Sequence, residues 1–242
     1  MYREPRLLTA GDRAVVVEFG GAVSPEINEK VRKLLLHIEK FPIRGVEEAV
    51  PTYRSLLIHY DPMSVSFEGL RDAVQTAIRE SVDIPLPRAR RVVLPTKYGG
   101  DRGPDIEYVA EHNKLTVDDV IRIHSGTDYL VYMIGFTPGF PYLGELPPSI
   151  ACPRLSTPRI KVPAGSVGIA GTLTGVYSVD SPGGWRLIGQ TPLKLFDETL
   201  DPPSLLQAGD HVRFVPISEE DFKRLESEVR ARRYTPEISY LD

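Results

Sequence analysis

The chain has 242 residues, 41% of them hydrophobic and 26% charged, and a formal net charge of -4. That is enough apolar material for one large domain or two small ones, while the lack of a basic excess argues against nucleic acid and anionic membrane surfaces as partners. The one cysteine, Cys152, excludes an internal disulfide, and no apolar run approaches the roughly 20 residues that span a bilayer. The opening residues, MYREPRLLTAGDRAVVVEF, lack the apolar stretch and cleavage site of a secretory leader, so a soluble cytoplasmic protein is expected.

In chain order, the β-branched run AVVVEF (residues 14–19) predicts a strand. A helix follows: Ser24 can cap it, Pro25 suits its first position, and Ile27, Val31, Leu34, Leu35 and Ile38 repeat at three- and four-residue steps. GVEEAVPTY and SLLIHY predict two strands joined by a turn at Thr52 to Arg54. Phe67, Leu70, Val74 and Ile78 then mark a second helix, and RRVVLP (residues 90–95) a further strand. The order β-α-β-β-α-β is the ferredoxin-like pattern of an α+β domain, with both helices on one face of the sheet.

Glycine usage changes after this point. Residues 1–90 hold five glycines and residues 126–191 hold eleven, so the architecture is expected to change near the Pro- and Gly-containing stretch 90–105, giving domains 1–95 and 96–242. Two short helices come first, one over Pro104 to His112 and one opened by Thr116 with Asp119 three residues on, a variant capping box. His124 closes the second, either as a partly protonated cap on the helix dipole or as a catalytic group. Beyond Tyr129 the text is all β: LVYMIGF, VGIAG, GVYSV, WRLIGQ, PLKLF and HVRFVP are short strands spaced as in a barrel or sandwich, and SPGGW reads as a tight turn.

Barrel bends alone would explain much of the glycine density. The remainder suggests close approach of a ligand or partner backbone, because Arg154, Arg159, Lys161 and Arg186 flank the segment. Guanidinium groups beside exposed N–H groups suit a carboxylate or phosphoryl oxygen, unless they only bond surface turns. GFTPGFPYL places Phe136, Phe140 and Tyr142 where a loop either plugs the barrel or presents aromatic anchors. No P-loop, dinucleotide fingerprint or GxSxG elbow occurs, so Ser166 reads as a turn serine and Cys152 as structural. The five histidines lack metal-ligand spacing and no metal site is expected.

GFTPGFPYLGEL, PRLSTPRIKVPAGSVGIAG and TGVYSVDSPGGWRLIGQTPLKLFD together resemble the PxpB family of 5-oxoprolinase subunits, also called KipI or allophanate hydrolase subunit 1, and the likeness covers nearly the whole chain. The resemblance implies an α+β domain followed by a cyclophilin-like β-barrel. It also implies a paired PxpC- or KipA-like subunit and a PxpA-like third protein, which together open 5-oxo-L-proline to L-glutamate at the expense of ATP, expected with Mg2+ and bound by or shared with the partner. One departure is visible: Leu173 stands where the family usually has glutamine. A KipI-type inhibitor of a histidine kinase and an allophanate- or urea-processing subunit are the alternative readings.

A lactam is a poor electrophile, and phosphorylating its oxygen makes that oxygen a leaving group, so such a site needs cations for phosphoryl and carboxylate groups. The candidate catalytic residues are Arg159, Arg154, Lys161 and His124. Candidate substrate or partner contacts are Phe136, Phe140, Tyr142, Ser166, Gly168, Gly171, Ser181 and Trp185. The chain offers half of such a site, and the other half is expected on the partner.

Overall fold

The computed structural model describes residues 1–241, which divide into two compact units, Met1–Pro87 and a second beginning at Arg88. In the first, strands β1 (Arg6–Thr9), β2 (Ala14–Glu18), β3 (Val46–Pro51) and β4 (Ser55–Tyr60) form an antiparallel sheet in the order β1-β2-β4-β3. Helix α1 (Pro25–Lys40) starts as its sequence predicts, with the Ser24 hydroxyl accepting from the Ile27 N–H at 3.3 Å and Pro25 at the first helical position. Ser66 caps α2 (Phe67–Glu80) in the same way through Gly69 N–H. Val15 and Val17 of β2 and Leu56, Ile58 and Tyr60 of β4 alternate inward onto Ile27, Val31 and Leu34 of α1 and Leu70 and Val74 of α2, making one core. Buried Asn28 donates to the carbonyls of Thr52 and Tyr53, which fixes the β3–β4 turn on α1.

This is the ferredoxin-like strand order, with one correction. The edge place beside β2 is filled by β1 and not by Arg90–Pro95. β1 escapes a reading by pattern because it is an edge strand of four residues in which only Leu7 turns inward. The expected boundary at residue 95 therefore falls inside a strand of the second unit.

That strand is β5 (Arg90–Tyr98), followed by α3 (Ile106–His112) and α4 (Val117–Ser125), whose Thr116–Asp119 capping box is complete. Next come β6 (Asp128–Ile134), β7 (Pro141–Leu143), β8 (Arg159–Val162), β9 (Ser166–Ala170), β10 (Leu173–Val176), β11 (Ser181–Gly183), β12 (Arg186–Gln190) and β13 (His211–Pro216). Helix α5 (Glu219–Arg230) and strand β14 (Ile238–Tyr240) complete the unit. Eight strands run in the order β12-β9-β10-β7-β6-β13-β5-β14, and a further β12–β5 pairing closes the first seven into a mixed barrel. β5 is its central member: β13 runs parallel along one edge, while β14 and β12 share the other. Val92, Leu94, Val131, Val167, Ile169, Ile188 and Phe214 fill the interior. β8 and β11 form a separate two-stranded ribbon, so the predicted SPGGW turn begins as a short strand.

PLKLF is not a strand; only Phe196 makes an isolated bridge, to Ser204. Helix α5 was not expected from the pattern, although Ser218 caps Asp221 N–H and Phe222, Leu225 and Val229 stand at helical spacing.

A fragment comprising residues 88–242 is expected to unfold cooperatively in urea on its own. One starting at Thr96 lacks the β5 residues that pair with β14 and most of those that pair with β13, and circular dichroism is expected to show it unfolded.

Candidate functional site

The structure gathers a large part of the predicted set around Trp185. Phe140, Trp185 and Tyr177 are buried with Val162, Ala170 and Leu187 in a small core of their own, with Tyr142 and Leu173 packed against it. The rings meet edge to face: Phe140 lies 5.6 Å from Trp185, 5.3 Å from Tyr177 and 5.0 Å from Tyr142 between centroids. Gly168 of β9 lies against Trp185, where a Cβ would sit 3.1 Å from the Trp185 Cβ, and Gly175 of β10 lies against the indole ring, where a Cβ would sit 3.0 Å from Cζ3. Gly183 makes room for the Tyr177 hydroxyl, which a Cβ would meet at 2.1 Å.

Phe140 is therefore a core residue and not a partner anchor. Phe136, at a positive φ of 67°, packs one edge on Phe140 while remaining 64% exposed, so of the two phenylalanines it alone presents an apolar face outward. Leu173, the departure from the family pattern, packs against the aromatic core with no polar role.

The cations differ sharply. Arg159 is committed within the chain: its Nη2 donates to both Asp105 oxygens at 2.8 and 2.9 Å and its Nη1 to Trp185 O at 3.4 Å. The same buried carboxylate accepts the Leu187 N–H at 2.7 Å, so Asp105 and Arg159 tie the start of α3, β8 and β12 together. Sequence reasoning missed Asp105, whose place before α3 looks like an ordinary cap, although its side chain makes no capping bond. Lys161 is exposed and paired with Asp180 at 2.8 Å. Arg154 has its guanidinium carbon 5.8 Å from the centroid of the Trp185 ring and no carboxylate partner among the described residues. Burial raises the pKa of Tyr177 and of Tyr142 against the pull of Arg154, so both phenols stay neutral at physiological pH. Exposed Arg154 thus stands at the edge of this aromatic core, where half-buried Tyr142 is the ring open to solvent, and keeps a charge available to an anionic group.

The other predicted residues play structural parts. Ser166 is buried at the start of β9, where its N–H donates to Pro163 O. Gly171 turns β9 into β10 at a positive φ of 60° and exchanges backbone bonds with Cys152. Burial raises the Cys152 thiol pKa, so that cysteine is inert packing. Ser181 pairs with Val162 in the ribbon, and its buried Oγ meets no hydrogen-bond partner.

His124 is neither a charged cap nor accessible to substrate. It is fully buried, and desolvation lowers its pKa to about 3. The Thr174 hydroxyl donates to Gly168 O at 2.9 Å and so accepts from His124 Nε2 at 3.0 Å, which leaves Nδ1 to accept the Tyr98 hydroxyl at 2.8 Å. These bonds assign the Nε2–H tautomer and link β5, α4, β10 and β9 in one satisfied relay.

A protein-family model for the carboxyltransferase domain, subdomain C and D, matches residues 5–206 of the chain. The PxpB-type 5-oxoprolinase subunit of Bacillus subtilis (strain 168) is 44% identical over 90% of this chain and 95% of its own length. The chain belongs to the PxpB family of 5-oxoprolinase subunits. Its namesake in Escherichia coli O157:H7 is 41% identical over 88% of this chain and 97% of its own. Among solved structures, the urea amidolyase of Kluyveromyces lactis superposes with a TM-score of 0.82 over 98% of this chain and 16% of that one. At 21% identity that match speaks for the fold alone, a four-stranded sheet with two helices followed by a barrel.

Two outcomes are expected from this geometry. Arg159→Ala leaves the Asp105 carboxylate without its cation and is expected to cost about 1.5–3 kcal/mol in urea denaturation, with Arg159→Lys costing less because the charge remains. For His124, the folded pKa lies below the ordinary 6.5, so the unfolded chain takes up a proton that the folded chain refuses. Stability from this group is complete above about pH 6.5 and falls by up to about 1.4 kcal/mol per unit as the pH drops toward 3. His124→Gln, which can still bridge Tyr98 and Thr174, is expected to show a shallower decline between pH 6 and 4 by about one proton.

Proposed function

We propose that this chain is the PxpB component of an ATP-dependent 5-oxoprolinase, opening 5-oxo-L-proline to L-glutamate with PxpC/KipA-like and PxpA-like partners in the cytoplasm. The observation that carries the reading is end-to-end similarity at 44% and 41% identity to two proteins named as that component, over 95% and 97% of their lengths. The Trp185 surface supports it. Arg154 would hold the substrate carboxylate beside half-buried Tyr142 at the edge of the aromatic core. Phe136, exposed beside this surface at the edge of Phe140, would meet the partner.

ATP would supply the phosphoryl group that lets the lactam oxygen leave as phosphate. Among the described residues no three His, Cys, Asp or Glu side chains converge, so this chain builds no metal cage of its own, and a nucleotide's Mg2+ would be held mainly by phosphate oxygens and one or two carboxylates. The nucleotide would be bound by the partner or shared with it. The occurrence of the same fold as 16% of a longer chain in the K. lactis urea amidolyase accords with a unit that works beside other domains.

The test is reconstitution. The chain mixed with both partners is expected to release glutamate from 5-oxoproline only when ATP is present, and the chain alone to release none. Arg154→Ala is expected to lower that rate tenfold or more, about 1.4 kcal/mol or more, while co-elution with the partners and the melting temperature stay unchanged. An inert complete mixture would sink the assignment; wild-type turnover by the Arg154→Ala complex would sink only the role given to Arg154.

A further inference from the structure

None of the residues around Trp185 lines a second concavity of the barrel unit, a cavity of about 440 Å3 between the loop after β12, the end of α5 and the segment leading to β14. That volume is in the range of small-molecule sites. Leu193, Leu205, Val229 and Tyr234 give it apolar walls, and Arg90, Lys194, Asp197 and Arg232 stand among its lining.

The charges there do not cancel. Arg90 is consumed by Asp210, with Nε to Oδ1 at 2.9 Å and Nη2 to Oδ2 at 2.6 Å. Lys194 and Arg232 share the single carboxylate of Asp197, at 3.0 and 3.7 Å. Asp197 is further occupied by the N–H and hydroxyl of Thr199. Among the lining side chains two cations thus meet one carboxylate, and Arg232 Nη2 also donates to the Thr199 hydroxyl at 2.8 Å; Glu228 and Glu237 act on the Tyr234 side of the cavity, so the positive character is local to Lys194 and Arg232.

The backbone adds an independent sign. Arg233 N–H donates to Glu228 O at 2.9 Å and Arg232 N–H to Val229 O at 3.0 Å, the paired bonds of a Schellman motif closing α5. The residue between them must adopt a left-handed conformation, which glycine takes at least cost. Here it is Arg232, at a φ of 56°. A strained arginine at a helix end where glycine fits best, with its guanidinium at a cavity, points to a role for the side chain.

We propose that this cavity binds a small monocarboxylate with an apolar body, the carboxylate between Lys194 and Arg232 and the body against Leu193, Leu205 and Val229. This proposal is independent of the 5-oxoprolinase assignment and uses none of its residues.

Isothermal titration of the full chain with phenylacetate at pH 7 and low salt tests it, with phenylacetamide as the uncharged control. Saturable one-to-one binding is expected, at least tenfold weaker for the amide. Arg232→Gly is expected to keep or raise the melting temperature, since it relieves the helix end, while weakening phenylacetate at least fivefold. Lys194→Gln, at a side chain 58% exposed, is expected to weaken it similarly without loss of stability. The proposal is overturned if phenylacetate shows no saturable binding, if the amide binds equally well, or if Arg232→Gly binds as tightly as the wild type.

Discussion

Closure of the barrel between β5 and β12 is the contact on which the rest of the second unit depends. Tyr98 and Lys97 pair there with Gly189 and Gln190, and the strands come so close that a Cβ on Gly189 would lie 2.8 Å from Lys97 O. Once this seam is shut, Tyr98 points its hydroxyl into the interior and opens the relay through His124 and Thr174 to Gly168. Strand β9, with Gly168 against Trp185, is thereby fixed from inside.

A second polar anchor works beside that seam. Asp105 accepts from Leu187 of β12 and from Arg159 of β8, so the ribbon carrying Ser181 and Gly183 is tied to the barrel wall. An unpaired buried polar group costs about 1–3 kcal/mol, which is why both sets work only when every member is bonded. Their demands also explain why the most obvious candidates are held back from a substrate: both ring nitrogens of His124 are bonded inside the barrel, and the charge of Arg159 is neutralised by Asp105.

In the proposed roles, anions would be held by cations that carboxylates of this chain do not fully neutralise. Arg154 lies over an indole with no carboxylate to neutralise it, and Lys194 and Arg232 divide one carboxylate between them. Each stands against apolar or aromatic walls, where a charge-assisted bond to an anion is stronger than it would be in open water. The two places differ in form: Arg154 is exposed at the edge of an aromatic core, whereas Lys194 and Arg232 line a cavity made within one unit.

Periodicity and caps were enough to locate α1, α2 and α4, because an apolar stripe and a capping hydroxyl are local features that tertiary packing reinforced. Glycine density was read as barrel bends and as close approach of a ligand or partner, whereas at Gly168 and Gly183 the group that approaches is an aromatic side chain of the same chain; long motifs gave the family. What local sequence could not reveal was which sheet Arg90–Pro95 joins, since Val92 and Leu94 would fill either core equally well and only pairing with β13, β14 and β12 decides. Nor could it separate Arg154 from Arg159. The two lie in the same proline-rich stretch, yet Asp105, 54 residues from Arg159 in sequence, neutralises one and leaves the other its charge, and that choice is made only when the barrel folds α3 back beside β8.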